Sequence, residues 1–241
     1  MSREYTGEFG GIRLNFRFKY DETEKYFNGW LKEINGDCDH CIEVTQQDYD
    51  DQKEKWNIDE GPYTESLLSV YRACDELLKY NRCVFHGAAY LWRGKAFLFT
   101  AKSGTGKSTQ LFNWLELYGD EIKVMNGDKP VLCAEENRIM VYPSPWKGKE
   151  GMGDDTLSAP LGGIIILEQG KENYIKKLRP NESVPQLLQR ILFTAENREL
   201  VLNAGKFIEE MIIKIPVYKL VNTGNKESSI LTYETIGKET E

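Results

Sequence analysis

The chain has 241 residues, of which 40% are apolar and 29% charged, with a formal net charge of −7 from 31 Lys/Arg and 38 Asp/Glu. That size and balance suit a globular protein whose core stands without a metal or disulfide staple. The acidic excess argues against a nucleic-acid binder or a protein lying on an anionic membrane, since either needs a basic face. It is also uneven: residues 1–80 carry −8 and residues 81–241 carry +1.

The opening segment reads as strand, because Ile12, Leu14, Phe16 and Phe18 alternate with Arg13, Asn15 and Arg17. Met1 to Tyr20 is polar and lacks the apolar core of a secretory signal. The longest aliphatic run, Ile164 to Leu167, is far too short to span a bilayer. With five cysteines, an odd number, the expectation is a cytoplasmic protein with free thiols and no membrane partner. A short strand is expected at Cys41–Thr45, then a polar loop or solvated helix over 46–60 rich in Asp and Glu. Gly61-Pro62 punctuates it and marks a soft boundary. Thr64–Tyr80 fits an amphipathic helix. Residues 1–80 are therefore expected to form a small α+β segment packed on a core of residues 81–241.

From residue 82 short apolar runs dominate. Cys83–Trp92 and Lys95–Thr100 read as two strands joined by a turn at Arg93-Gly94, and Lys107–Tyr118 reads as a helix ending at Gly119. Strands are expected at Ile122–Met125, Val131–Ala134, Ile139–Tyr142, Gly163–Glu168 and Val217–Leu220. Helices are expected at Ser183–Thr194, at Glu199–Ile213 and from Lys226 onward. Hairpins mixed with strand–helix units point to an α/β fold with a mixed sheet.

Ala101-Lys102-Ser103-Gly104-Thr105-Gly106-Lys107-Ser108-Thr109 matches the phosphate-loop pattern [AG]-x4-G-K-[ST] between a strand and a helix. The glycines let the backbone curl so that successive N–H groups face the phosphates. Ser103, Gly104, Thr105, Gly106, Lys107, Ser108 and Thr109 are thus the candidate nucleotide-binding residues. Lys107 supplies a cation to the β and γ phosphates, the Ser108 hydroxyl is placed for Mg²⁺, and the following helix adds its N-terminal dipole. A second metal group is expected from Asp128, in Asn126-Gly127-Asp128-Lys129 just past a strand. Asn-Gly is equally a turn dipeptide.

The order Phe85-His86-Gly87, two strands, Ser-Gly-Thr-Gly-Lys-Ser and Asn-Gly-Asp resembles the catalytic domain of HPr serine kinase/phosphorylase over roughly residues 82–221. It is similar also to phosphoenolpyruvate carboxykinase, and most to the smaller bacterial HPr kinase-like proteins. The resemblance implies that P-loop fold with a mixed sheet, distinct from the Ras-like one. It also implies ATP and Mg²⁺, γ-phosphate transfer to a hydroxyl of a protein, peptide or small molecule, and a homo-oligomer. By it, Lys107 would hold the phosphates, and Ser108 and Asp128 the metal. The family carries two adjacent Asp residues where this chain has Gly127-Asp128, and the missing one is usually the general base. Either Asp128 does both jobs, another residue is the base, or the chain is a nucleotide-binding regulatory module without transfer. A carboxykinase reading would need a further metal site that two histidines do not assemble.

His86 aligns with the family's His-Gly and is either the base or a structural histidine held by backbone. Pro145, Trp146, Lys147, Gly148 and Lys149 form a Pro-Trp-x-Gly-Lys segment found in the smaller relatives. It is expected to be a lid at the site mouth, with Trp146 as a platform and Lys147 and Lys149 gripping phosphate or acceptor. The alternative is an ordinary surface loop. Arg190 and Arg198 read as solvated helix charges or as nucleotide contacts. Cys38-Asp39-His40-Cys41 reads as two thiols around a turn rather than as a zinc knuckle, which needs four ligands.

Overall fold

The computed structural model describes residues 3–34, 41–102 and 104–238. The first strands, β1 (Arg3–Phe9), β2 (Ile12–Phe18), β3 (Lys32–Ile34) and β4 (Ile42–Glu43), make a sheet in the order β3-β1-β2-β4. The alternation at Ile12–Phe18 is β2, and its partner β1 was not expected from the polar opening. The polar stretch after Val44 is a helix, α1 (Gln46–Trp56), whose start is fixed by a reciprocal cap between Thr45 and Asp48. It is followed by α2 (Pro62–Leu78), with proline in its first turn.

The expected strand Cys83–Trp92 is two strands, β5 (Arg82–Val84) and β6 (Ala88–Trp92), with Phe85-His86-Gly87 between them. They serve different neighbours: β5 pairs with β9 (Val131–Ala134), whereas β6 pairs with β7 (Lys95–Ala101) and β8 (Ile122–Asn126). Helix α3 (Lys107–Tyr118) links β7 to β8. Beyond β9 come β10 (Ile139–Tyr142), β11 (Ala159–Gln169), β12 (Tyr174–Lys177), α4 (Pro180–Leu188), α5 (Arg198–Lys214), β13 (Val217–Asn222) and α6 (Lys226–Lys238). The expected helix Ser183–Thr194 thus stops at Leu188, and β12 is an addition.

The main sheet is mixed, in the order β5-β9-β10-β11-β7-β6-β8, with β13 on β11 and β12 on β13. Strand β11 runs parallel to both β7 and β13. Helices cover both faces, which is why its run Ile164–Leu167 is apolar without interruption. Alternate residues go to opposite layers. Ala96, Leu98, Ile164 and Ile166 meet Leu187, Phe207, Ile208 and Met211 of α4 and α5. Phe97, Phe99, Ile165 and Leu167 meet Leu111 and Trp114 of α3 and Ile236 of α6. The architecture is therefore mixed α/β.

A third cluster joins the N-terminal sheet to this core. Phe9, Phe16, Phe18 and Phe27 pack with Ala73, Cys74 and Leu77 of α2, with Val84 and Val131, and with Trp146. Cys74, Cys83 and Cys133 are buried free thiols. Cys41 is disulfide-bonded, which corrects the expectation of free thiols throughout; its partner, and the rest of the Cys38–His40 reading, lie outside the described residues. No helix among the described residues is long and apolar enough to cross a membrane.

Candidate functional site

Strand polarity gathers the candidate residues at one edge of the sheet. Strands β7 and β8 both end there, because β8 is antiparallel to β6 and β6 is antiparallel to β7. For the same reason β6 begins there. The glycine loop after β7, Asp128 after β8 and His86 before β6 therefore meet at the carboxyl edge of the parallel strands, where α/β sheets bind ligands.

The loop turns on Gly104 (φ +77°) and Gly106 (φ +101°), both in the left-handed region. Around Gly104 there is open space, so its dihedral rather than crowding calls for glycine. Lys102 O accepts from Thr105 N at 3.2 Å and from Thr105 Oγ1 at 2.7 Å, which closes the turn before α3 starts at Lys107. Thr109 is exposed on the first turn of α3, and Ser103 lies outside the described residues.

Lys107 Nζ sits 2.7 Å from His86 Nε2 and 3.5 Å from Asp128 Oδ1. His86 Nε2 is 3.3 Å from the same carboxylate oxygen, and Lys129 Nζ bonds the other, Oδ2. Backbone contacts hold these positions. Asp128 O accepts from Gly87 N at 2.8 Å, and His86 O accepts from Thr100 Oγ1 at 2.7 Å. Asn126, fully buried, accepts through Oδ1 from Asp128 N at 2.9 Å and Lys129 N at 2.8 Å, while its Nδ2 donates to Ser144 O at 3.1 Å. The Asn-Gly turn is thus real, and it is what aims Asp128 at the loop.

Burial raises the cost of charge on Asp128, but the contact with His86 and the hydrogen bond from Lys129, with the charges of Lys129 and Lys107, outweigh it and hold the carboxyl well below the usual range. Burial pushes Lys107 below the usual amine range, against the pull of Asp128, and Lys129 and Arg190 add to the lowering. Arg190 itself is lowered by burial alone.

The Pro145–Lys149 segment departs from expectation. Trp146 is not a platform at a site mouth; it is buried, stacked on Phe9 at 5.4 Å and 24° and edge-on to Phe27 at 6.2 Å. Pro145 O accepts from Asn28 Nδ2 at 2.7 Å, so the N-terminal sheet region grips the root of the segment. Lys147 points into its own loop, to Asp155 Oδ2 at 2.8 Å and Gly153 O at 3.3 Å. Gly148 (φ +78°) passes so close that an added Cβ would lie 2.9 Å from Asp128 Cβ. Lys149 is exposed and makes no direct ion pair among the described residues.

Two further features escaped the sequence reading. Glu150 accepts from the Ser108 hydroxyl at 2.6 Å, and that bond draws its carboxyl below the usual range. Gly127 has no room for a side chain: a Cβ there would lie 2.7 Å from Lys147 O and 3.1 Å from Met152 O. The only available signal for Glu150 was its place beside Lys149 in a glycine-rich loop. Arg198, on the exposed start of α5, makes no contact with the cluster. A cleft of about 280 Å³ lined by Glu8, Trp30, Tyr142 and Asp155 shares none of these site residues.

No family model matches the chain, and no curated protein does. Among solved structures it is similar to the Hpr(Ser) kinase/phosphatase from Coxiella burnetii, at 11% sequence identity and a TM-score of 0.40, over 66% of this chain and 99% of that one. So weak a likeness carries no argument about chemistry, which has to come from the side chains.

Proposed function

We propose that the chain is an ATP- and Mg²⁺-dependent kinase of HPr kinase-like P-loop fold, with residues 81–241 as the nucleotide-binding domain and residues 1–80 as an α+β segment packed on it. It transfers the γ-phosphate to a hydroxyl, either a serine of a protein or peptide or a small alcohol. The observation that carries this reading is the meeting of Lys107, His86 and Asp128 beside a glycine-turned loop at a helix start.

The donors suit Mg²⁺. Ser108 Oγ and the carboxylates of Asp128 and Glu150 are hard oxygens, and Mg²⁺ takes one or two carboxylates with substrate phosphates rather than an all-protein cage. Among the described residues no three His, Cys, Asp or Glu side chains converge on a point. When bound, the ion neutralises charge on the β and γ phosphate oxygens. The chain's own residues do the rest. Loop N–H groups from Gly104 onward and the α3 N-terminus orient the phosphates. Lys107 exchanges His86 and Asp128 for phosphate oxygens. His86 Nε2, released from Lys107, accepts the proton of the attacking hydroxyl, and Asp128 at 3.3 Å stabilises the imidazolium that forms. Lys149, free on the exposed segment, is the lysine available to a γ phosphate or acceptor.

The test is Lys107→Ala. ATP turnover and nucleotide binding are expected to vanish with the fold intact by circular dichroism, and retained transfer would overturn the assignment. A regulatory module that binds nucleotide without transfer is the second reading, favoured by the absence of room for an acid at Gly127. Incubation with labelled ATP, Mg²⁺ and cell extract separates the two: a labelled acceptor marks the kinase, and tight binding with no labelled acceptor marks the module.

A further inference from the structure

Arg190 lies in the turn that closes α4, its N donating to Leu187 O at 2.8 Å, and the residues after it run beside the turn before β6. His86 N donates to Arg190 O at 2.7 Å, Leu192 N donates to Val84 O at 3.0 Å, and Phe85 and Ile191 form an isolated bridge. The backbone thus fixes Arg190 directly against His86, one side chain away from Lys107. The Arg190 Nε is shut off from solvent and has no hydrogen-bond partner. No acidic side chain among the described residues pairs with the guanidinium. The neighbourhood contains Lys107, Lys129 and Arg190 against two carboxylates, Asp128, which Lys129 and Lys107 already share, and Glu150, which accepts from the Ser108 hydroxyl. Leaving a partly buried guanidinium unpaired is costly, and arginine is normally placed at such depth to meet a carboxylate or phosphate with its planar fork.

We propose that Arg190 completes a phosphate receptor with Lys107, its guanidinium taking the terminal phosphate of the bound nucleotide. This rests on the nucleotide reading of the glycine loop. It goes further by assigning the γ position to a residue 83 positions away in the sequence from Lys107. The surplus positive charge then matches the group being transferred, and Arg190 serves in cis the role that charge-stabilising arginines fill in phosphoryl transfer.

A receptor for the terminal phosphate must distinguish ATP from ADP. Titration calorimetry of the full chain with each nucleotide in Mg²⁺ should show Arg190→Ala weakening ATP binding by about tenfold or more, the loss expected for one charge-assisted contact, with ADP affinity within about twofold of wild type. Arg190→Lys, which keeps charge but not the fork, should recover only part of the loss. The unfolding midpoint should hold, because the backbone of Arg190, not its side chain, ties it to His86. An ATP-to-ADP affinity ratio unchanged by Arg190→Ala overturns the inference and leaves the nucleotide reading standing. Wild-type protein that binds neither nucleotide, but binds inorganic pyrophosphate in an Arg190-dependent way, overturns the nucleotide reading and keeps the receptor. Binding of none of these overturns both.

Discussion

Asp128 is a partly buried carboxylate facing three cationic or ionisable groups, Lys107, Lys129 and His86. The depressed pKa that results has a definite sign in stability. A carboxyl whose folded pKa lies below its unfolded value near 3.9 contributes fully above that value and loses its contribution as pH falls toward the folded one. Asp128→Asn should therefore cost about 2 kcal/mol at pH 7, the scale of a partly buried pair losing one partner, and the gap should close progressively below pH ~4. Denaturant melts of both proteins at pH 7, 4 and 2.5 check this, and a gap that stays constant across that range would sink the account. Lys107 and Asp128 were legible as a pair because each stands at a strand end in a recognisable local pattern. Glu150 was not, and Arg190 could be read only as a solvated helix charge or a nucleotide contact, with nothing to set it apart from Arg198. The contact of Glu150 with Ser108 spans 42 residues and depends on the path of the glycine segment. What separates Arg190 from Arg198 is an unpartnered nitrogen and a backbone bond to His86, and neither leaves a trace in local sequence.

Elements bring these residues together through alternating strand direction, and the turns between them carry the chemistry. The run Cys83–Trp92 read as one strand because apolar residues flank its His86-Gly87 interruption on both sides, yet it must leave one partner, β9, and join others, β7 and β8. The break falls at Phe85-His86-Gly87 and exposes His86 to the loop. Strands β7 and β11 were plain from their apolar runs, whereas β1 and β12 hide among polar residues because each has a solvent-facing side. The glycine segment after β10 lies against the end of β8 so tightly that the residue before Asp128 must lack a side chain. Gly127→Asp, which restores the acid that the related pattern contains, should therefore give no transfer activity. Forcing a Cβ to 2.7 Å from Lys147 O should cost about 2 kcal/mol, or about 4–8 °C in melting midpoint. Wild-type stability with a gain in transfer would show that the segment moves aside freely and that the glycine is an ordinary loss of the acid.

At the scale of the whole molecule, the first eighty residues hold the formal charge of −8 and also the aromatic cluster that anchors the site's glycine segment. Trp146 is the joint. It stacks on Phe9 of β1, meets Phe27, and is followed within four residues by Lys149 and Glu150. An unfolding N-terminal sheet would expose Val84 and Val131 of the core along with Trp146, so the two halves should melt as one unit despite the boundary that Gly61-Pro62 marks in the sequence. Trp146→Ala removes the joint and should cost about 3–5 kcal/mol, lowering a single melting transition by about 10 °C. Trp146→Phe should be nearly neutral, since it keeps most of the apolar contact and removes an indole N–H that has no partner. Calorimetry of the three proteins, each with and without ATP and Mg²⁺, tests the coupling directly. The nucleotide-induced rise in midpoint should survive Trp146→Phe and shrink in Trp146→Ala, because the segment bearing Lys149 and Glu150 loses its root. Two separate transitions in the wild type, or an undiminished nucleotide shift in Trp146→Ala, would mean that the acidic N-terminal segment is an independent unit with no hold on the site.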